Sequence, residues 1–216
     1  MTQPSPDFRI AIVPVTTFQQ NCALVYNDKT KQAAVVDPGG DVDTILEAVH
    51  KLGLKVEKIL ITHGHIDHAG GADELREKLN VKIEGPHRDD EFLLQTLQES
   101  GAQFGMLTAR ALVPDRWLVE GDRVEAAGFV FKVIEAPGHS PGSVVFFNEA
   151  QRFAFMGDVL FQGSVGRTDL RRSNPADLMR SIKEKILPLG DDVVFLPGHG
   201  SASRIGEERT GNPFLV

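Results

Sequence analysis

The sequence predicts an α/β fold of the α+β type, a four-layer αββα sandwich in which two mixed β-sheets pack face to face between outer helices. In the first half of the chain, amphipathic helical segments alternate with short apolar strands. In the second half, pairs of strands are separated by turn residues, as in hairpins. With 216 residues and no linker-like stretch, we expect residues 1–216 to form a single domain.

The first half is predicted to open with a meander of strands that ends at the turn residues 38–40. The next helix begins at Asp41, a candidate N-cap, carries its apolar residues at helical spacing and ends at Gly53. Helices and strands then alternate. In order, we predict strands over 8–15, 22–27 and 33–37, a helix over 41–51, a strand over 56–62, a helix over 73–79, a strand over 81–84 and a helix over 90–103.

The second half contains two predicted hairpins, formed by residues 123–136 and 143–155 with breaks at 127–128 and 148–151. A helix over 175–187 follows, because Leu178, Met179, Ile182 and Ile186 fall on one face. A strand over 193–196 completes this half.

Polar residues stand at equivalent strand ends in the two halves. Strands end at Asp37 and at Thr62-His63 in the first half, and at Asp158 and just before His199 in the second. We interpret this as a weak internal duplication of a strands–helix–strand unit. Packing the two sheets face to face would bring these strand ends together.

The composition has an acidic balance, with 23 Lys+Arg against 30 Asp+Glu and a formal net charge of −7. Nucleic-acid binding depends on Lys and Arg contacts to phosphate, so we expect no nucleic-acid partner. Residues 1–8 lack a secretory pattern, and no apolar run reaches the roughly 20 residues of a membrane span, so no membrane association is expected. The one cysteine, Cys22, excludes an internal disulfide, and we expect a cytoplasmic protein.

The strongest local motif is Thr-His-Gly-His-Ile-Asp-His over residues 62–68, which places His63, His65, Asp67 and His68 directly after a strand. In a turning segment His63 and His65 can face one way, while Asp67 and His68 at the next helix face a neighbouring position. Imidazole and carboxylate ligands without thiolate suit Zn, Fe or Mn in an open, catalytic site. A polar turn of solvent-exposed histidines is the alternative.

Three further residues of metal-ligand type lie beside glycines at predicted strand ends. These are His139 in Pro-Gly-His-Ser-Pro-Gly, Asp158 in Met-Gly-Asp and His199 in Pro-Gly-His-Gly. Glycine lets the backbone approach closely, and loops at strand ends commonly carry function. Each of them taken singly could instead be a turn residue or a helix cap.

The series HxHxDH, GH, GD and PGH resembles that of the metallo-β-lactamase superfamily over nearly the whole chain. The resemblance implies the αββα fold and two divalent metal ions. By it, His63, His65 and His139 would hold the first metal and Asp67, His68 and His199 the second, with Asp158 bridging them. Lactamase members often place a cysteine at the second metal, and this sequence has none there.

Within the superfamily the chain resembles the glyoxalase II (hydroxyacylglutathione hydrolase) group, especially its short bacterial YcbL-type members. The supporting stretches are residues 13–15, 20–22, 36–40, 166–169 and 208–214. This implies hydrolysis of S-acylglutathione thioesters such as S-lactoylglutathione, to lactate and glutathione, in methylglyoxal detoxification. Full-length members carry a further C-terminal helical domain that contributes to glutathione binding, and few residues follow His199 here. The tyrosine usual after the last histidine motif is replaced by Ser201.

The expected chemistry is attack on the thioester carbonyl by a hydroxide held between the metals, which acidify bound water and polarise the carbonyl. Asp67 would orient that hydroxide. Asp37 is a candidate acceptor for the second N–H of a metal-bound histidine, or else a turn residue before Pro38. Cys22 is predicted to be a buried strand residue and not a nucleophile. The sequence leaves the oligomeric state open.

Two other functions remain as alternatives. A mononuclear iron persulfide dioxygenase of the same fold would use His63, His139 and Asp158 as an iron triad. Against it, the last motif reads Pro-Gly-His-Gly over 197–200, where those enzymes typically have Ala-His-Asp. A nuclease of the superfamily would resemble this chain plus an RNA-binding module, and the acidic balance disfavours it.

Overall fold

A computed structural model describes residues 5–216, so the first four residues of the polar N-terminal stretch lie outside the described part. The N-terminal sheet is mixed and has five strands in sequence order. The first three strands pair antiparallel, and the third, fourth and fifth pair parallel. Parallel pairs need a crossover, and helices supply both. The elements are β1 (Phe8–Val15), β2 (Gln20–Asn27), β3 (Gln32–Val36), α1 (Val42–Leu52), β4 (Lys55–Leu60), α2 (Ile66–Ala69), α3 (Ala72–Leu79) and β5 (Lys82–Glu84).

The second sheet has six strands in the order β13-β12-β9-β8-β7-β6. Only the β9–β12 pair is parallel among its pairings, and its crossover includes a small hairpin and a helix. Its strands are β6 (Arg123–Ala126), β7 (Phe129–Glu135), β8 (Val144–Asn148), β9 (Phe153–Gly157), β12 (Val194–Pro197) and β13 (Ser203–Arg204). The same half of the chain contains a separate two-stranded sheet, β10 (Leu160–Phe161) and β11 (Ser164–Val165), and the helices α6 (Pro175–Ser181) and α7 (Ile205–Gly211). Between the two sheets in sequence lie α4 (Glu91–Gln95) and α5 (Leu97–Phe104).

Three apolar cores define four layers, as predicted. Between the sheets, Leu60 of β4 packs in one cluster with Phe131 of β7 and Phe146 of β8. A second cluster joins the outer face of the first sheet to α1 and α3, and a third joins the outer face of the second sheet to α6 and α7. Burial of both faces of both sheets follows from the apolar strands. The predicted αββα sandwich is confirmed.

Two predicted helices differ from the structure. The single helix over 90–103 is wrong: a 3₁₀ turn (Arg88–Asp90), α4 and α5 occupy this region, with a break at Thr96. The Thr96 hydroxyl donates to the carbonyls of Phe92 and Leu93, both at 3.1 Å, and competes there with helical hydrogen bonding. The helix over 175–187 continues from α6 as a π-helical turn (Ile182–Ile186).

Asp41 occupies the N-cap position of α1, as predicted, but its side chain makes no capping hydrogen bond to the helix. Its carboxylate accepts instead from the backbone N–H of Thr16 at 2.6 Å, which ties the β1–β2 turn to this helix. Gly53 ends α1 in the left-handed region, with φ 66°, as predicted. The two-residue strands β10, β11 and β13 and the helix α7 were not predicted, since strands this short carry no readable alternation.

The topology gathers four strand ends at one place. β3 and β4 run parallel in one sheet, β9 and β12 run parallel in the other, and each is followed directly by a polar segment. Carboxyl ends of parallel strands share one sheet edge, where sites of α/β proteins form. Among the helices of residues 5–216, none has the length and apolar character needed to cross a bilayer.

Candidate metal centre

The motif segment after β4 turns sharply from strand into helix. His63 is fully buried, while His65 stands in extended backbone at the N-cap position of α2. Asp67 and His68 lie within the single turn of α2. The short helix places Asp67 and His68 beyond the turn, and the ring of His68 lies beside that of His63, with the ring centroids 4.1 Å apart.

One group of three imidazoles forms around His63, His65 and His139. Their ring centroids lie 4.6–4.9 Å apart, and Nδ1 of His65 approaches Nε2 of His139 to 2.9 Å. The ligand atoms of all three lie within 4.8 Å of one another. His139 Nδ1–H donates to the Arg167 carbonyl at 2.9 Å, which leaves the Nε2 lone pair directed at the group. These three nitrogens can bind one cation.

A second group contains Asp67, His68 and His199, again within 4.8 Å. Nε2 of His199 lies 3.0 Å from Oδ2 of Asp67, and Nε2 of His68 lies 3.8 Å from the same oxygen. The side chains of Asp67 and His199 are 17% and 30% exposed, whereas that of His68 is fully buried. The second group is therefore the side of the centre that a substrate can reach.

Asp158 lies between the two groups. Its Oδ1 is 3.3 Å from Nε2 of His68, and its Oδ2 is 3.6 Å from Nε2 of His139 and 3.8 Å from Nε2 of His199. One carboxylate thus faces histidines of both groups. This is the geometry that a bridging ligand requires.

A hydrogen-bond chain from Asp37 assigns the tautomers of two histidines. The Asp37 carboxylate accepts from the Thr62 N–H at 2.7 Å, from the Thr62 hydroxyl at 2.6 Å and from His68 Nδ1–H at 2.9 Å. Because Thr62 gives its only hydroxyl proton to Asp37, its oxygen accepts from His63 Nδ1–H at 3.1 Å. Both rings are left with an Nε2 lone pair facing the centre.

The turn that carries His199 is held by the first sheet. The backbone N–H of Asn21 donates to the Gly198 carbonyl at 2.7 Å, and its side-chain amide donates to the carbonyls of Pro197 and Gly200 at 3.0 and 2.8 Å. His199 Nδ1 lies 3.3 Å from the Phe18 carbonyl. The β1–β2 connection therefore fixes a candidate ligand residue that lies far away in sequence.

The pKa values of His63 and His65 shift in one direction, and those of His68 and His199 shift in the other. Burial, followed by the neighbouring imidazoles, lowers the pKa of His63 far below its usual value, and burial and His139 lower the pKa of His65 to about 3. Burial alone would lower the pKa of His68 and His199, but the carboxylates beside them raise both. Burial would raise the pKa of Asp67, yet His68 and His199 hold it below its usual value. Neutral imidazoles and ionised carboxylates are the forms that bind metals, and the shifts at His63, His65 and Asp67 favour these forms. The raised pKa values of His68 and His199 favour the protonated ring, from which a bound metal would displace the proton.

The residues fit a metal. Nε2 of His63, Nε2 of His68 and Oδ1 of Asp158 are buried without any hydrogen-bond partner within residues 5–216. An unpaired buried polar atom costs about 1–3 kcal/mol, so three together at one point are unfavourable unless a cation satisfies them. The donors are all imidazole or carboxylate, which suits a borderline divalent metal.

Cys22 lies outside the centre, and so do the side chains of Arg167 and Arg171. Cys22 is fully buried in the core under α1, and burial, with Asp37 nearby, raises the pKa of its thiol. Arg167 pairs with Asp169, and the Arg171 guanidinium stacks on Phe92 with its carbon 5.3 Å from the ring centre. The sequence analysis missed Thr62, although it adjoins His63. It also missed the backbone carbonyls of Phe18 and Arg167, which lie beside Nδ1 of His199 and His139. Every residue has a backbone carbonyl, so the sequence cannot show which ones accept these bonds.

A sequence profile described as the metallo-β-lactamase superfamily matches residues 15–199. The hydroxyacylglutathione hydrolase GloC of Haemophilus influenzae is 44% identical over 207 residues, which cover 95% of this chain and 97% of that protein. The structure is similar to that of the B3 metallo-β-lactamase BLEG-1, with a TM-score of 0.89, 36% identity and coverage of 96% of this chain and 100% of the other. It is also similar to TTHA1623 in a di-iron-bound form, with a TM-score of 0.85, 34% identity and coverage of 95% and 100%.

Proposed function

The chain belongs to the metallo-β-lactamase superfamily, and we propose that it is a metal-dependent hydrolase of S-acylglutathione-type thioesters. The observation that carries the proposal is the pair of ligand groups joined by Asp158, each with free lone pairs converging on one point. Its 44% identity with a hydroxyacylglutathione hydrolase supports the substrate class. S-lactoylglutathione, which gives lactate and glutathione, is the proposed representative substrate. Residues 1–216 would act as one domain.

We assign the ligands by group. His63, His65 and His139 hold the first metal, Asp67, His68 and His199 hold the second, and Asp158 bridges them. We propose two divalent ions, Zn or else Fe or Mn, since this donor set accepts all three. The relative with two irons supports a site for two metals. When bound, such metals would lower the pKa of a bound water to about 7 and would polarise the thioester carbonyl as Lewis acids.

The protein's own residues would position the reactants. Asp67, partly exposed at the accessible side of the centre, would orient the attacking water by accepting a hydrogen bond from its O–H. The lowered pKa of Asp67 keeps it in the carboxylate form that accepts this bond. The leaving thiolate has a solution pKa near about 8.5, so it departs at neutral pH without a dedicated general acid. The proposed reaction therefore needs no residue that protonates the leaving thiolate.

The test combines metal analysis with turnover of S-lactoylglutathione, repeated after chelation and after restoration of the metal. About two metals per chain with chelator-sensitive thioester cleavage is the expected result. One iron per chain, no thioester cleavage and oxygen consumption on glutathione persulfide would overturn the proposal in favour of the iron dioxygenase alternative. That alternative leaves Asp67, His68 and His199 without a role.

A further inference from the structure

A buried carboxylate outside the proposed ligand set connects the two loops that carry the three-imidazole group. Asp90 ends the 3₁₀ turn before α4 and is fully buried. Within residues 5–216 it forms no ion pair with Lys or Arg, so hydrogen bonds alone compensate its burial. Burial raises the pKa of this carboxyl, which shows that the position is unfavourable for a charge.

The donors to Asp90 come from both sides of the three-imidazole group. Its Oδ2 accepts from the backbone N–H of Gly64 at 2.8 Å and from the Ser140 hydroxyl at 2.7 Å, and its Oδ1 accepts from the backbone N–H of Gly142 at 2.6 Å. Gly64 lies between His63 and His65, and Ser140 follows His139. One carboxylate therefore joins the loop of two imidazoles to the loop of the third.

Both glycines are required by this close approach. A Cβ at Gly142 would lie 2.6 Å from the backbone N and 2.7 Å from Cγ of Asp90. A Cβ at Gly64 would lie 2.8 Å from Cβ of Leu93 and 3.1 Å from the Asp90 carbonyl oxygen. The two loops are thus packed against the Asp90 turn at backbone contact distance, and small shifts of Asp90 must shift them.

Asp90 and Asp37 act on different parts of the centre. Asp37 binds a ring N–H of His68 and, through Thr62, orients the ring of His63. Within residues 5–216, Asp90 forms no hydrogen bond with an imidazole; its donors are two backbone N–H groups and the Ser140 hydroxyl, on either side of the group. None of its donors belongs to the segment 66–69 or to the His199 turn.

We propose that Asp90 is a positioning residue that sets the separation of the 63–65 and 139–142 loops, and thereby the metal affinity of the His63, His65 and His139 group. The proposal rests on the proposed ligand set and is independent of the proposed thioester substrate. Its test is read from metal binding, so a failed substrate assignment would leave it standing.

The test variant is Asp90→Asn, which keeps the shape of the side chain. An amide offers one acceptor oxygen, and its NH₂ would face either the Gly64 or the Gly142 N–H, so one backbone contact is lost in either orientation. Metal-free protein is titrated with Co²⁺ or Zn²⁺ against a chromophoric chelator. His139→Ala identifies which binding event belongs to the three-imidazole group, because it removes that event. In Asp90→Asn we expect the affinity of this event to fall about tenfold or more, as is typical when a residue that holds a metal ligand is changed. The affinity of the other event should be unchanged.

Glu208→Gln is the matched control. Glu208 is also a buried carboxylate, and it accepts from the Gly163 N–H at 2.7 Å, from the Asn212 amide at 2.9 Å and from the Ser203 hydroxyl. This variant should lose thermal stability without weakening the event assigned to the three-imidazole group. Equal affinities in parent and Asp90→Asn, or an equal loss at both events as in a general loosening of the fold, would overturn the proposal.

A double variant separates positioning from stability. If Asp90 acts through the three-imidazole group, Asp90→Asn causes no further loss of metal affinity in the His139→Ala background. An additional loss at the remaining event would contradict the proposal. Should Asp90→Asn fail to fold, Ser140→Ala removes a single donor, and it must weaken the same event selectively for the proposal to hold.

Discussion

Asp37 accepts the Nδ1–H of His68 at 2.9 Å, although the two residues lie 31 positions apart and neither is exposed. The same carboxylate binds both the N–H and the hydroxyl of Thr62, so it ties the end of β3 to the end of β4. Its backbone has φ 53°, in the left-handed region. Asp37, held in this strained conformation at the ends of two parallel strands, accepts three hydrogen bonds. One of them fixes the ring of His68, whose Nε2 faces the centre.

Replacing Asp37 with Asn is expected to weaken metal binding by about 10–100-fold at the group containing His68, with a matching fall in activity at limiting metal. The amide retains one acceptor oxygen and sets its NH₂ against a donor. Depending on its orientation, it loses the bond from the Thr62 N–H or the bonds from the Thr62 hydroxyl and His68 Nδ1–H. Metal titration of the chelated protein measures the effect. Asp28→Asn, which changes an exposed aspartate paired with Lys31, serves as control, and equal affinities in the two variants would contradict the expectation.

Truncation of His139 to Ala is expected to remove metal from the three-imidazole group and abolish turnover. The variant deletes one of three converging nitrogens and frees the Arg167 carbonyl. Metal content by elemental analysis and turnover of S-lactoylglutathione measure the outcome. His87→Ala is the control, since His87 accepts from the Asp89 N–H and belongs to neither ligand group. A fully active His139→Ala protein would disprove the ligand assignment.

The sequence predicted the parts of this molecule that depend on local pattern. Strand alternation and helical spacing gave the two mixed sheets, and the residues now found together stand in the sequence beside glycines at strand ends. What it did not predict depends on distant contacts. The backbone N–H groups of Gly64 and Gly142 donate to Asp90 across 26 and 52 residues of sequence. The helix break at Thr96 coincides with hydrogen bonds from its hydroxyl to backbone carbonyls of the preceding turn.

Changing Cys22 to Ser is expected to leave turnover per folded molecule nearly intact. The thiol is fully buried and belongs to neither ligand group. A hydroxyl in this apolar core lacks a partner, so the free energy of unfolding should fall by about 1–3 kcal/mol. Urea denaturation and specific activity measure the two effects. Loss of turnover in a folded Cys22→Ser protein would reveal a thiol role in the reaction.

The stability of the metal-free protein should depend on pH above about 9 through Cys22. Burial first, and the charge of Asp37 second, raise the pKa of the folded thiol well above its ordinary value of 9.0. The unfolded chain therefore releases a proton that the folded protein keeps. The stability from this group is complete below pH 9.0 and is lost as the pH rises toward the folded pKa.

This loss amounts to at most about 1.4 kcal/mol per pH unit. Urea unfolding between pH 7 and 10.5 on chelated parent and Cys22→Ala proteins isolates it, because the two proteins differ only at residue 22. We expect the parent to lose stability more steeply than Cys22→Ala above pH 9. Parallel curves for the two proteins would show that the thiol titrates in the folded state as it does in the unfolded chain, and hence that the core around β2 admits solvent.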